Sequence, residues 1–184
     1  ATDGSGNTST ASFSITVNDT ETPTIANMPV DISLTNDAGI CGAVATWLEP
    51  SAADNCAMAT FTADAASGDV FPVGTTTVTY TALDIYGNSA SASFNVTVTD
   101  DENPVISGMP ADINLTNDLG QCGAAATWTA PTATDNCAVD TLTSNHASGS
   151  VFPVGTTTVT YTALDIHGNS SSAAFIVTVT DTEE

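Results

Sequence analysis

The acidic residues are the first candidates for chemistry, because they cluster at three regularly spaced points of the chain. The clusters are Asp19 with Glu21, then Asp100, Asp101 and Glu102, then Asp181 with Glu183. In an extended segment, residues two apart such as Asp100 and Glu102 lie on one face, about 7 Å apart at the backbone. Their carboxylates can then converge on one cation, and calcium accepts oxygen ligands of this kind. The clusters therefore predict Ca²⁺ sites, the alternative being a hydrated acidic linker closed by a proline.

Two other acidic motifs are typical of turns. Asp84 opens the segment Asp84–Asn88, which is typical of a hairpin turn, and Asp165 opens its counterpart. Either residue could add a metal ligand, although the motif lacks the ligand alternation of an EF-hand. The triplet Asp54-Asn55-Cys56 recurs at residues 135–137, and it favours an Asx turn leading into a strand.

The sequence repeats with a fixed step of 81 residues. Residues 70–85 recur unchanged at 151–166, and Met28-Pro29 recurs as Met109-Pro110. Such regularity predicts a window on a longer array. We assign residues 1–20 to the C-terminal strand of a preceding repeat, and residues 21–101 and 102–184 to two full repeats. Residues 1–19 could alternatively complete a neighbouring subunit by strand addition.

Each repeat carries two cysteines, Cys41 with Cys56 and Cys122 with Cys137. The spacing favours a disulfide within each repeat, closing a loop worth roughly 3 kcal/mol in the chain-entropy model. Such bonds indicate an oxidising, extracellular compartment. The competing interpretation is a zinc site, which needs further ligands. Neither histidine recurs at the repeat spacing, so zinc is disfavoured.

The charge balance excludes several classes of function. The chain has 21 Asp and Glu residues and no Lys or Arg. Its carboxylates must be satisfied by water, hydrogen-bond donors, histidine or cations. Nucleic acid binding needs basic side chains, so it is not expected. No apolar run reaches the roughly 18 residues that a membrane helix needs, so no membrane insertion is expected in this segment.

Period-2 alternation predicts β-strands throughout. Phe94, Val96 and Val98 share one face, and the same pattern recurs at residues 13–17 and 175–179. A second alternating run, residues 75–84, should pair with it across the Asp84–Asn88 turn. Further strands are expected at 30–35, 41–47 and 56–63. Without a helical stripe, the chain is expected to be all-β, with tandem immunoglobulin-like β-sandwich domains. Trp47 and Trp128 should pack in the core, the alternative being a platform that stacks against a ligand.

The motifs together resemble the hyalin repeat (HYR) domain. They are Pro-Val-Asp-Ile at 29–32, Cys41, Trp47, Pro50, Asp-Asn-Cys at 54–56, Phe-Pro-Val-Gly-Thr-Thr at 71–76, Gly-Asn at 87–88, and Phe-x-Val-x-Val-x-Asp at 94–100. The resemblance implies an immunoglobulin-like fold in extracellular adhesion proteins and brings no catalytic residues. Many hyalin repeats carry another cysteine where Ala92 and Ala173 stand here, which implies one bridge per repeat.

We therefore expect a structural stalk or adhesive segment of a large extracellular surface protein or fibre. Its partners would be neighbouring repeats, further copies in a fibre, or a surface glycan or protein. The alternatives are a glycan- or protein-binding recognition module and the spacer domain of a secreted enzyme. We do not expect an enzyme, because no phosphate loop or repeated Ser-His pair is present.

Overall fold

The computed structural model describes residues 1–183, and these contain sixteen β-strands and no helix. The all-β prediction is confirmed. Among these residues there is accordingly no helix of the length and apolarity needed to cross a membrane.

The strands follow the 81-residue step. The first eight are β1 Thr24–Ala26, β2 Ile32–Thr35, β3 Gly42–Val44, β4 Ser51–Ala53, β5 Met58–Ala63, β6 Val70–Pro72, β7 Gly74–Asp84 and β8 Ser89–Thr99. The second eight are β9 Val105–Ser107, β10 Ile113–Thr116, β11 Gly123–Ala125, β12 Thr132–Thr134, β13 Val139–Ser144, β14 Val151–Pro153, β15 Gly155–Asp165 and β16 Ser170–Thr180. The predicted strands at 30–35, 41–47 and 56–63 correspond to β2, β3 and β5.

Each repeat builds one large sheet and two small ones. In the second repeat the large sheet has the order β10-β16-β15-β13. Strands β15 and β16 form the predicted antiparallel hairpin, whereas β10 runs parallel to β16. The small sheets pair β11 with β14 and β9 with β12. The first repeat has the corresponding order β2-β8-β7-β5, with the pairs β3-β6 and β1-β4.

The chain divides into two compact units that do not coincide with the repeats. Unit 1 comprises Ala1–Pro29, Leu48–Ala65 and Val78–Phe94. Unit 2 comprises Val30–Trp47, Ala66–Thr77 and the chain from Asn95 onward. Unit 2 therefore contains the second repeat together with the loop that carries Cys41.

The core of unit 2 is formed by the inward faces of β15 and β16. Val159, Phe175 and Val177 are buried there, and Trp128 packs against this cluster. The Trp128 Nε1–H donates to the Tyr161 hydroxyl at 2.7 Å. The tryptophan therefore belongs to the core, as the sequence predicts. In unit 1 the corresponding face of β7 is buried by the same alternation.

The N-terminal segment departs from the predicted strand pattern. Phe13, Ile15 and Val17 are 85%, 77% and 87% exposed, and residues 9–22 form no strand. The corresponding residues of β16 are buried because β10 and β15 pair with them on either side. Among the described residues no strand pairs with this segment, so its alternation alone cannot bury it. Its assignment as a repeat fragment, or as a strand given to another subunit, stays a prediction.

Candidate functional site

The junction acid Asp100 follows the end of β8 and is buried. It is 5% exposed. The Asn136 side-chain amide donates to Asp100 Oδ1 at 3.2 Å, and the Asn169 amide donates to the Asp100 carbonyl at 3.2 Å. Two turns of the second repeat thus cover the acid that ends the first.

Three oxygen atoms at this junction are buried without a hydrogen-bond partner. They are Asp100 Oδ2, Asp135 Oδ1 and Asn136 Oδ1. Ligand atoms of Asp100, Asp135 and Cys137 all lie within 4.8 Å of one another. Burying an unpaired polar oxygen is costly, and the chain has no Lys or Arg to offset it. Two carboxylates and an amide oxygen are ligand types that calcium prefers.

Asp135 belongs to the predicted Asx turn, yet the turn uses only half of its carboxylate. Its Oδ2 accepts the Cys137 N–H at 2.9 Å, whereas its Oδ1 remains unpaired. The turn prediction is therefore confirmed, but it was an incomplete description. The signal available in the sequence is the recurrence of Asp-Asn next to a cysteine, which a turn alone does not require.

Glu102 holds a loop instead of joining this group. Its Oε2 accepts the Gly39 N–H at 2.9 Å and the Asn36 side-chain amide at 3.2 Å. It also lines an open cleft of about 270 Å³, together with Asp135 and Asn136. The acid grouped with Asp100 is thus Asp135, from the next repeat, and not the neighbour two residues on. Asp101 is exposed, and its main-chain N–H donates to Asn36.

The cysteines pair differently from the prediction. The disulfide joins Cys41 to Cys137, with the Cα atoms 4.6 Å apart and a sequence separation of 96. Cys56 and Cys122 are free and exposed. The predicted within-repeat pairs are therefore wrong. The reason is local: the Asn136 amide also donates to the Ile40 carbonyl at 3.3 Å, which brings the loop before Cys41 against the turn that carries Cys137.

The same acidic arrangement occurs in unit 1 with a thiol in place of the disulfide. Ligand atoms of Asp19, Asp54 and Cys56 lie within 4.8 Å of one another. Asp19 Oδ2 and Asp54 Oδ1 are again buried without a partner. A hydrogen bond to Asp19, burial and the neighbouring carboxylates raise the pKa of the Cys56 thiol above its ordinary value. Glu21 is exposed, and its N–H donates to Asp19 Oδ1 at 3.1 Å.

The third acidic cluster is exposed. Asp181 and Glu183 are both accessible to solvent, and Glu183 accepts the Gly120 N–H at 2.9 Å. This contact repeats the one between Glu102 and Gly39. Glu183 therefore positions the Cys122 loop in the way that Glu102 positions the Cys41 loop.

Asp84 and Asp165 are buried inside their turns with both oxygens occupied. Asp165 Oδ1 accepts the N–H groups of His167 and Asn169 at 2.8 Å, and Oδ2 accepts the Asn169 amide at 2.8 Å. Burial by itself raises the pKa of Asp165, but these hydrogen bonds lower it by more, so the pKa lies below its ordinary value. Asp84 accepts from the equivalent residues Tyr86 and Asn88, and its pKa is shifted in the same direction. Both residues serve the hairpin turns.

These features define a tandem-repeat β-sandwich protein with a disulfide and buried acids between consecutive repeats. The family model described as HYR domain matches residues 18–98 and 99–179. The chain belongs to the HYR domain family.

Similar proteins include two hyalins. The chain is 36% identical to hyalin of Lytechinus variegatus over 189 aligned residues, covering 100% of this chain and 36% of that protein. It is 36% identical to hyalin of Strongylocentrotus purpuratus, covering 98% of this chain and 16% of that protein. The chain thus spans well under half the length of either relative.

Two further similarities are to a third relative and to a solved structure. The sushi, von Willebrand factor type A, EGF and pentraxin domain-containing protein 1 of Rattus norvegicus is 36% identical over 158 residues, covering 83% of this chain and 4% of that protein. The structure of protocadherin gammaB7 EC3-6 covers 88% of this chain and 51% of its own, with 18% identity and a TM-score of 0.39.

Proposed function

We propose that this chain is a structural, adhesive repeat segment of an extracellular protein, and that Ca²⁺ stiffens the junctions between its repeats. Membership of the HYR family and similarity to the hyalins support the repeat role. A disulfide is consistent with an oxidising, extracellular compartment. We propose that the two full repeats of the array are residues 21–101 and 102–184.

One observation carries the calcium proposal. Asp100 is almost fully buried beside Asp135, and each carboxylate has one oxygen without a partner. Like charges this close repel one another, and burial reduces the screening by water. In a chain with no Lys or Arg, a divalent cation is the group that offsets the repulsion and ligates both oxygens.

The amide of Asn136 supports the same assignment. Its nitrogen lies 3.2 Å from Asp100 Oδ1, 3.3 Å from the Ile40 carbonyl and 3.7 Å from Cys137 Sγ. The nitrogen thus occupies a position surrounded by electron-rich atoms. These bonds hold the side chain in place, and its Oδ1, which has no partner, is left as a further candidate ligand. Main-chain carbonyls and water would supply the remaining ligands.

Thermal unfolding in Ca²⁺ and in chelator tests this proposal. At free Ca²⁺ about 100-fold above Kd, binding stabilises the folded chain by about 2.7 kcal/mol. In a chain of this size each kcal/mol raises Tm by about 2–4 °C, so we expect a rise of roughly 5–10 °C. Asp100→Asn with Asp135→Asn should remove most of the rise. The matched control is Asp140→Asn. Asp140 is exposed, and its counterpart in the first repeat is Ala59, so this variant should keep the rise in Tm.

An unchanged Tm on adding Ca²⁺, with the chain folded in both conditions, would reject calcium at the junction. A rise that survives the double substitution would place the ion elsewhere. The alternative roles as a recognition module or enzyme spacer do not require the buried acid pair. The stacking platform considered for Trp128 is not favoured, because that side chain packs against Phe152 and Phe175.

A further inference from the structure

The two free thiols, Cys56 and Cys122, stand at positions equivalent to those of the two bonded cysteines. Adding the 81-residue step to Cys41 gives Cys122, and adding it to Cys56 gives Cys137. The disulfide between Cys41 and Cys137 therefore joins the first cysteine of one repeat to the second cysteine of the next. Among residues 1–183, Cys122 is thus a first cysteine that is not bonded to a second cysteine, and Cys56 is a second cysteine that is not bonded to a first one.

The loop before each first cysteine is held by the same kind of contacts whether the cysteine is bonded or free. Asp37 N–H donates to the Gly42 carbonyl at 2.7 Å, and Asp118 N–H donates to the Gly123 carbonyl at 2.8 Å. The glutamate contact that holds each loop also recurs at 2.9 Å, from Glu102 in one case and Glu183 in the other. The Cys122 loop thus already makes the two contacts that hold the bonded Cys41 loop.

The turn before each second cysteine is likewise the same in both states. Cys56 N–H donates to Asp54 Oδ2 at 2.9 Å, and Cys137 N–H donates to Asp135 Oδ2 at 2.9 Å. Both thiols are exposed, so a partner can reach them. Neither half needs to refold before it pairs.

We propose that Cys122 forms a disulfide with the second cysteine of another repeat of this kind, and Cys56 with the first cysteine of another. Repeated along an array, this gives a chain of repeats each bonded covalently to the next. This proposal does not depend on calcium, because the pairing follows from the position and conformation of the cysteines.

The bond forms by thiol–disulfide exchange with a small-molecule disulfide as oxidant. The Cys122 thiolate attacks one sulfur of that disulfide, forms a mixed disulfide and releases one small thiolate. The thiolate of the partner Cys56 then attacks the Cys122 sulfur and releases the second small thiolate. Two protein thiols are oxidised, one external disulfide is reduced to two thiols, and two protons pass to the solvent or the released thiolates. Because the chain carries a formal charge of −21, a neutral oxidant such as bis(2-hydroxyethyl) disulfide is the suitable probe.

Two single variants of the full chain test the pairing. Cys56→Ser keeps only the Cys122 thiol free, and Cys122→Ser keeps only the Cys56 thiol free. After oxidation, an equimolar mixture should give several-fold more disulfide dimer than either variant alone. The unsubstituted chain should give a series of longer oligomers. Peptide mapping should find Cys122 joined to Cys56. An aspartate-specific protease is suitable, because it puts the four cysteines on separate peptides and the chain has no Lys or Arg for trypsin.

Mapping also checks that Cys41–Cys137 is intact in each variant, which shows that the chain is folded. Dimers of Cys122 with Cys122 as abundant as the mixed dimer would overturn the proposal. The proposal would also be overturned if Cys56 and Cys122 ended as mixed disulfides with the small molecule while Cys41–Cys137 was intact.

A longer chain shows whether the partner thiol of Cys122 comes from a second copy of the chain or from the following repeat of the same chain. Appending a further copy of residues 104–183 after residue 184 places a second cysteine 96 residues after Cys122, the separation of the existing bond. Cys122 should then bond within the chain, and Cys122-linked dimers should disappear. A lengthened, folded chain that leaves Cys122 free would contradict the pairing between consecutive repeats.

Discussion

Asp165 shows how a buried carboxylate is held in a chain without Lys or Arg. It is 2% exposed, and all the hydrogen bonds that stabilise its charge come from its own turn. The net effect is a lowered pKa, as for Asp84 in the other repeat. The stabilising contribution of these two residues therefore requires the charged form.

The pH dependence of stability follows from this direction. A carboxylate with a lowered folded-state pKa contributes stability above its unfolded pKa of about 3.9, and loses it as pH falls through the folded value. We expect Asp84→Asn with Asp165→Asn to lower the urea midpoint at pH 7, and to show a smaller further fall between pH 7 and pH 3 than the unsubstituted chain. Asp140→Asn should change neither quantity. Parallel pH curves for the double variant and the parent would contradict this account.

At the junction the sequence predicted the acids but not their grouping. Asp100 was identified because it clusters with other acids along the chain, and the structure buries it. Its ligand neighbour Asp135 lies 35 residues away in sequence, 135 minus 100, so no local pattern joins them. The cysteine pairing failed for the same reason. The sequence is consistent with two pairings, one between cysteines 15 residues apart within a repeat and one between cysteines 96 residues apart in consecutive repeats. Only packing selects between them.

Among the strands, the long hairpins were predictable and the short pairs were not. Val159 and Phe175 alternate with polar neighbours over many residues, which fixes both the strand type and the buried face. The sequence contains no comparable signal for the parallel pairing of β10 with β16, because a parallel partner distant in sequence needs no turn between the strands. Alternation at residues 13–17 predicted a strand that the chain does not form, since pairing requires a partner as well as a pattern.

The β11–β14 pair gives a test at this scale. Gly123 lies against β14 so closely that a Cβ there would be 2.4 Å from the Phe152 carbonyl oxygen. Gly123→Ala must therefore shift the backbone, and we expect a loss of about 1–3 kcal/mol in the free energy of unfolding, measured by urea titration. Gly4→Ala is the control, because a Cβ there meets nothing within 4 Å and its backbone conformation is ordinary. Equal midpoints for the two variants would show that the strand pair is looser than described.

At the scale of the whole molecule, one covalent bond spans more than half of the chain. The Cys41–Cys137 disulfide joins residues 96 apart in a chain of 184. In a repeat protein, the free energy of unfolding is the sum of the stability of each repeat and of the interaction energies between neighbouring repeats. A bond between repeats therefore strengthens the interaction between neighbours. Its effect should differ from that of a bond inside one repeat, which would stabilise only that repeat.

Removing this bond tests that distinction. For a loop of about 100 residues the chain-entropy model gives an upper value of about 4.7 kcal/mol. We expect Cys41→Ser with Cys137→Ser to lower the urea midpoint and to broaden or split the transition, because the two repeats then unfold with weaker coupling. Cys56→Ser with Cys122→Ser removes two cysteines as well, but both are free thiols, so its midpoint and sharpness should match the parent under non-oxidising conditions. A single, equally sharp transition in both double variants would mean that packing alone couples the repeats and that the disulfide adds only to their total stability.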